Sequence, residues 1–550
     1  MMAEDRSMRA DGAAGHIALS ARWRRLLAVC AVVALAWLVA GRVFGPSDLW
    51  DQTQPKTVSY TTDIIAHGRW ILPVERGEFP ATKPPLYNWL AAPAVWLMGF
   101  NSEIGHKLPS IVALFACWAA LIVLGDRLFP SMGAAVGYLA SMCFVSSYTI
   151  FKLGYLARPD MLLTLWLVLG WIAATKLLVD AREEAAGPPT RRFLLKLAFW
   201  LCVALAGLTK GPVAAVLPVY AVIAGKVITG RWRASAILGW WWGLPASLIL
   251  VALWIWGVWL TNPEHLRQEL WYNEIWGRVT GTGPEGSHEG PLGWLKGLGH
   301  MPLYYLVRFA PWSILSILAM VELWKHDPRK ESGQIWRGIG RSGYWLMSAA
   351  VMVFVVVGLF TLSASKRADY IAAAFAPGSL LAAWWLLRAG PRLGEYLPWL
   401  ASAAVGVCLG AMTVVNQRQS AAPEPGFGDQ IMAFARQARA EIENQSGPVV
   451  FWNAGASHLQ AMLGASELDC PPSMPPARDD PVLRARVESY TAALRRQIIE
   501  DGRPFWLLEG RATDRQMTFA RWLQAENIIA VVRPQTRSAE LPRGDDWPEQ

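Results

Sequence analysis

The chain has 550 residues, 53% of them hydrophobic and 31 of them Trp, with 17% charged residues and a formal net charge of +9. Apolar runs recur along most of its length, which excludes a soluble multidomain protein and marks a polytopic membrane protein. The basic residues fall in short clusters between those runs rather than along one face, so loop topology, not nucleic acid, accounts for the positive surplus.

A polar lead with Arg22, Arg24 and Arg25 precedes an apolar stretch at 26–44. That stretch exceeds a signal-peptide core and approaches the ~20 residues a bilayer needs, so an uncleaved first span is expected. A polar loop at 45–83 follows and carries Asp48, Asp51, Asp63, Glu75, Glu78, Lys56, Arg69, Arg76 and Lys83. So many titratable groups between membrane segments point to chemistry. Further apolar runs lie at 84–100, 108–124, 132–150, 161–180, 193–208, 211–227, 236–260, 301–321, 343–362, 370–388 and 397–415. Five cysteines (Cys30, Cys117, Cys143, Cys202 and Cys408) lie in such runs and Cys470 stands apart, which gives neither a disulfide framework nor CxxC metal spacing.

Short cytoplasmic loops carry the excess of Lys and Arg. The arginines before the first run put the tail 1–25 inside and the 45–83 loop outside. The basic clusters at 176–196, 226–233, 325–341 and 388–392 then face inward only if one run does not cross. The run 84–100 is short, opens on two prolines and contains Pro93, so it is read as an interfacial or re-entrant helix at the outer leaflet. The expected fold is an all-α polytopic membrane protein of about 11 spans plus that interfacial helix, occupying 26–418. An odd number of spans leaves the tail outside. In the tail, helix signals at 430–443, 490–500 and 514–525 alternate with strand signals at 448–452, 504–508 and 528–532, which predicts a small extracytoplasmic α/β domain over 419–550.

This threading puts Lys83, Arg158, Lys210, Lys366 and Arg367 at the outer interface, against the inside bias and beside apolar runs where an unsatisfied charge is costly. The expected use is anion binding. Plainer readings stand beside it. Asp160, next to Arg158, suits a helix cap as well as a base or orienter. Lys210, in Leu208-Thr209-Lys210-Gly211-Pro212, suits a snorkelling lysine as well as a point charge on a lipid phosphate. The glycine-rich loop 271–291 adds Asn273, Glu274, Arg278 and His288, either as a solvated loop or as substrate contacts. His288 alone does not argue for a metal, so the sequence does not indicate a divalent ion and leaves one open.

The motifs Lys83-Pro84-Pro85-Leu86-Tyr87-Asn88-Trp89-Leu90, Lys107-Leu108-Pro109-Ser110, Ala157-Arg158-Pro159-Asp160-Met161-Leu162, Leu208-Thr209-Lys210-Gly211-Pro212, Pro311-Trp312-Ser313 and Ser365-Lys366-Arg367-Ala368-Asp369-Tyr370 follow one another in that order. In this order they resemble the lipid-linked-sugar glycosyltransferases of the membrane-embedded C-type fold, the superfamily of bacterial aminoarabinose transferase and dolichyl-phosphate-mannose-type protein mannosyltransferase. The resemblance covers about residues 26–390. It implies a polyprenyl-phosphate sugar donor and an inverting transfer, at the outer face of a bacterial inner membrane, to a lipid, glycan or protein acceptor. Carried over residue by residue, Lys83, Tyr87, Arg158, Lys210, Lys366 and Arg367 look like phosphate and headgroup contacts, and Asp160 like the second acid of the site. The chain departs from the family at Thr53-Gln54, where a catalytic Asp-Glu pair is expected; Asp51 and Glu78 are the candidate substitutes. A transporter or non-catalytic binder of polyprenyl-phosphate lipids is the competing reading, because those acids are missing.

Overall fold

The computed structural model describes residues 21–49, 53–75, 79–100, 102–129, 135–184, 187–276, 297–325, 340–363, 366–389, 396–418, 429, 449–452, 506–509 and 531–532. The chain forms two compact units. The larger comprises Met1–Gly45, Thr82–Tyr87 and Pro109–Ser420; the other comprises Pro46–Ala81, Asn88–Leu108 and Ala421–Gln550.

In chain order the helices are α1 (Ala21–Val43), α2 (Gln54–His67), α3 (Leu86–Met98), α4 (Glu103–Leu128), α5 (Ala135–Val145), α6 (Tyr148–Leu153), α7 (Pro159–Arg182) and α8 (Pro189–Lys210). They continue as α9 (Val216–Thr229), α10 (Trp240–Thr261), α11 (His300–Arg308), α12 (Trp312–Lys325), α13 (Gly340–Leu362), α14 (Ala372–Ala389) and α15 (Leu397–Arg418). Among the described residues eight helical runs are long and apolar enough to cross a membrane, or nine if a bent pair forms one span. The protein is therefore a mostly helical, polytopic membrane protein. Among the described membrane-length helices of the larger unit α14 is the most enclosed and α10 the least, with 89% and 22% of their apolar windows buried. Ala372, Ala373 and Ala374 keep α14 thin enough for α5, α7, α12 and α13 to pack around it.

The breaks in these runs follow local chemistry. Helix α3 has 13 residues and an internal Pro93, too short for a crossing that needs about 20. The run 132–150, expected as one span, is two short helices, α5 and α6. At their junction the Ser146 and Ser147 hydroxyls turn back onto the Met142 and Phe144 carbonyls, both at 2.7 Å, and compete with the backbone ladder. The run 301–321 is likewise two helices, α11 and α12, bent by 114°. Pro311, with no N–H to donate, stands at the bend.

A 41-residue apolar stretch, Pro189–Thr229, is broken at Gly211, whose φ of 62° favours glycine. Its length is about twice what one crossing needs. Ser247 of α10 donates to the Trp200 carbonyl of α8 at 3.0 Å, and further along both helices Val251 lies against Gly207. Helices α8 and α10 thus run parallel, so α9 between them runs back.

In the smaller unit, α2 precedes the antiparallel pair β1 (Val74–Glu75) and β2 (Phe79–Pro80). Asn88 donates to the Thr57 carbonyl at 2.7 Å and to Thr61 Oγ1 at 2.9 Å, which ties α3 to α2. The strands β3 (Val449–Trp452), β4 (Trp506–Glu509) and β5 (Val531–Val532) form a parallel sheet in that order. Parallel neighbours need crossover connections of a dozen or more residues, which the spacings supply. All three strands fall within a few residues of their expected positions. The helices expected before and between them lie outside the described residues.

Candidate active site

The site begins with a proline. The residue before Pro159 is confined to extended backbone, and Arg158 has φ −144° and ψ 146° as it opens α7. Asp160 then falls in the first helical turn, where the helix dipole favours a carboxylate. Its carboxylate takes side-chain cations: Lys210 Nζ, from the end of α8, donates to Oδ1, and Arg158 Nη2 pairs with Oδ2 at 3.1 Å. Oδ2 is buried and accepts no hydrogen bond.

Arg158 also reaches Asp369, with Nη1 at 3.0 Å from Oδ2. Burial alone would lower its pKa, but Asp160 and Asp369 outweigh burial and raise it, so the guanidinium stays charged. The other Asp369 oxygen faces two further cations, Arg308 Nη1 at 3.3 Å and Lys152 Nζ at 3.8 Å. The Arg308 guanidinium lies 5.3 Å over the Tyr148 ring and 5.7 Å over the Tyr304 ring. Two carboxylates thus sit among four cations. Asp369, Lys152 and Arg308 were not among the expected site residues. Arg308 and Lys152 did carry a signal, as ionised groups inside or at the edge of an apolar run.

Lys83 and Lys210 line a cavity of about 1240 Å³ with Arg267, Tyr370 and a long apolar wall. Lys83 is within electrostatic reach of Asp160, and Lys210 Nζ lies 4.3 Å over the Tyr370 ring. On α10 the wall runs from Trp240 through Ser247, Leu248, Val251, Trp254 and Ile255 to Trp259. Nineteen helical steps at 1.5 Å span about 28 Å, close to the thickness of a hydrocarbon core. Because α8 runs parallel to α10, Lys210 stands level with the Trp254–Trp259 end of this wall. The arrangement is a long apolar groove with cations at one end.

Lys366 donates to the Ser363 carbonyl at 2.9 Å, and its side chain packs so closely on Gly297 that a Cβ there would come within 2.9 Å of it. Burial lowers its pKa from the ordinary lysine range. Arg367 opens the turn Ala368–Ile371, which presents Asp369 and Tyr370. Tyr87 is 1% exposed, with its hydroxyl 3.1 Å from the Leu156 carbonyl and 3.2 Å from Ser110 Oγ. It touches the segment that carries Arg158. Asp51, Glu78, Arg278 and His288 lie outside the described residues.

In the smaller unit the acids have local partners. Asp63 accepts from His67 Nδ1 at 2.8 Å, Arg69 Nη1 at 3.1 Å and the Val74 N–H at 2.8 Å, which closes α2 onto β1. Asp48 and Glu103 both hold the fully buried Lys107. Gln54, at the position of the expected acid, is buried and donates to the Asp48 carbonyl at 2.7 Å. Among the described residues no group of three or more His, Cys, Asp or Glu side chains is placed to hold a metal ion.

A bundle of membrane-length helices thus carries an ion-paired carboxylate cluster beside a long apolar groove. No family model matches the chain. It is similar to the undecaprenyl phosphate-alpha-4-amino-4-deoxy-L-arabinose arabinosyl transferase of Edwardsiella ictaluri, 26% identical over 357 residues, or 64% of this chain and 57% of that protein. The same-named protein of Erwinia tasmaniensis is 25% identical over 349 residues, covering 61% and 55%. The chain thus spans little more than half the length of these curated relatives. Among solved structures, ArnT from Cupriavidus metallidurans bound to undecaprenyl phosphate shares the fold, with a TM-score of 0.55 at 16% identity over 93% of this chain and 90% of that one. Its apo form gives the same score and identity over 80% and 84%. The resemblance first seen in the ordered motifs therefore holds in sequence and in fold.

Proposed function

We propose that the protein transfers a sugar from a polyprenyl-phosphate donor to a lipid, glycan or protein acceptor at the outer face of a bacterial inner membrane. The observation that carries this reading is the groove: an apolar wall about 28 Å long, matched to a prenyl tail, with Lys83 and Lys210 at the Asp160 end. The names of the arabinosyl transferase relatives support the donor class. In the reaction the acceptor oxygen attacks the anomeric carbon from the face opposite the phosphate, and the bond from that carbon to the phosphate oxygen breaks with inversion. The leaving phosphate takes the electron pair, and Lys83, Lys210 and Arg158 stabilise its charge. Asp160, whose two oxygens pair with Lys210 and Arg158, orients the acceptor and takes its proton where it has one. The parallel course of α8 and α10 fits two spans separated by one return, and the proposal keeps Arg158, Lys210 and Lys366 outside, with about eleven crossings and an extracytoplasmic α/β tail.

The test supplies reconstituted protein with polyprenyl-phosphate sugars and an acceptor panel, and compares wild type with Asp160→Asn and Lys83→Ala. Both variants are expected to lose transfer; unchanged transfer in both removes this site assignment. The displacement of Glu or Asp by the bonded Gln54 favours one rival, a binder without chemistry. Tight polyprenyl-phosphate binding with no turnover on any acceptor would establish that rival.

A further inference from the structure

Arg158 joins two carboxylates that lie far apart in sequence, Asp160 in α7 and Asp369 in the turn before α14. One guanidinium serves both only if its backbone is held in place. Pro159 restricts the local φ and ψ but not the position of the segment. Position comes from buried donors on other elements. Ser110 of α4 is fully buried, and its Oγ lies 2.6 Å from the Leu156 carbonyl and 3.2 Å from the Arg158 carbonyl. The Tyr87 hydroxyl reaches the Leu156 carbonyl at 3.1 Å and Ser110 Oγ at 3.2 Å. One residue earlier, Arg42 Nη2 donates to the Tyr155 carbonyl at 3.3 Å, with its guanidinium 5.8 Å over the Tyr155 ring.

A serine hydroxyl has one proton and can donate to one carbonyl at a time. At 2.6 Å the Leu156 carbonyl is the better acceptor, and Tyr87 can then donate to Ser110 Oγ or share the same carbonyl. Two side chains thus back each other on one peptide, two residues from the guanidinium they support.

We infer that Ser110, backed by Tyr87, is a positioning residue that sets the reach of Arg158 onto Asp160 and Asp369. For its kinetic readout this rests on the transfer reading above, and Tyr87 acts in it through the peptide rather than by touching substrate.

The experiment is a cycle of wild type, Ser110→Ala, Arg158→Gln and the double variant, with Ser110→Thr as the conservative control. Arg158→Gln should fold, because Lys210 still neutralises Asp160, and Arg308 and Lys152 still face Asp369. Ser110→Ala is expected to lower kcat about tenfold with donor KM within about twofold, and Ser110→Thr to recover most of the loss. In the Arg158→Gln background the serine change should cost nothing further, since the group it positions is gone. A Ser110→Ala loss that persists at full size in that background would overturn the inference and make Ser110 a packing residue. If wild type transfers no sugar, the functional reading fails first, and the cycle is then read in melting midpoints. Sub-additive shifts sustain the link between Ser110 and Arg158; fully additive shifts overturn it.

Discussion

Asp369 is the carboxylate that keeps the cationic cluster together, and Asp369→Asn tests this through two effects of opposite sign. Its pair with Arg158 is buried, with side-chain exposures of 11% and 5%, whereas Arg308 and Lys152 are 27% and 21% exposed. Removing one partner of a buried pair costs about 3–5 kcal/mol, and each partly solvated pair adds roughly 1 kcal/mol or less. The variant should therefore melt several degrees lower, followed by Trp fluorescence at one scan rate so that irreversible unfolding does not distort the comparison. At the same time the cluster loses one negative charge. A unit charge about 10 Å from a bound phosphate, at an effective dielectric constant near 20, contributes about 1.7 kcal/mol, or more than tenfold in affinity. Asp369→Asn should thus bind polyprenyl phosphate more tightly while being less stable without it, and the lipid should raise its midpoint more than that of wild type. Asp369→Glu keeps the charge and should show neither effect. Unchanged melting together with unchanged affinity in Asp369→Asn would refute the assignment of Asp369 to this network.

Lys366 supplies a pH test. Burial lowers its pKa in the unbound protein, and a bound phosphate would raise it again. Between those two values binding takes up a proton, so affinity should fall as pH rises on the alkaline side; calorimetry in two buffers of different ionisation enthalpy reads the uptake, which Lys366→Arg should abolish. The groove is tested by Gly207→Leu, because even a Cβ there would meet Val251 Cγ2 at 2.9 Å. It should raise KM for long-chain donors and leave short-prenyl donors unaffected; equal effects on both would show that the groove does not hold the tail. Restoring the expected acid with Gln54→Glu removes the donor to the Asp48 carbonyl and sets a carboxylate beside it. A loss of roughly 1–3 kcal/mol with no gain in kcat is expected, and a rise in kcat would mean that the site lacks an acid at this position.

What could be read beforehand divides along a physical line. The positions of Arg158, Asp160 and Lys210 were legible because each stands where an apolar run meets a polar turn, and a charge at such a boundary is visible in one dimension. The partnership of Arg158 with Asp369 bridges 211 residues and depends on how α7 and α14 pack, which no local pattern encodes. Lys152 and Arg308 are hidden in the sequence because the apolar windows around them read as uninterrupted spans. The structure breaks both runs, at Ser146–Ser147 and at Pro311, and the two cations lie near those breaks. The rule that an ionised group in an apolar run marks a site or an end would have found them.

In the opening loop the described acids Asp48 and Asp63 serve local structure, while Lys83 at its end lines the groove. The loop's density of charge suggested chemistry, yet Asp63 holds His67, Arg69 and the Val74 N–H, and Asp48 shares the buried Lys107 with Glu103. A short segment with little apolar surface to bury must order itself by other means, and paired charges with capped carbonyls supply them. Charge density therefore does not separate a loop that catalyses from a loop that folds. The separating observation is where the partners come from. Asp63 is matched by donors within eleven residues of it, whereas Asp160 and Asp369 draw Lys152, Arg158, Lys210 and Arg308 from distant parts of the chain into one cluster, beside a groove long enough for a lipid. Charges gathered in this way beside apolar runs are costly to keep unless they serve a site.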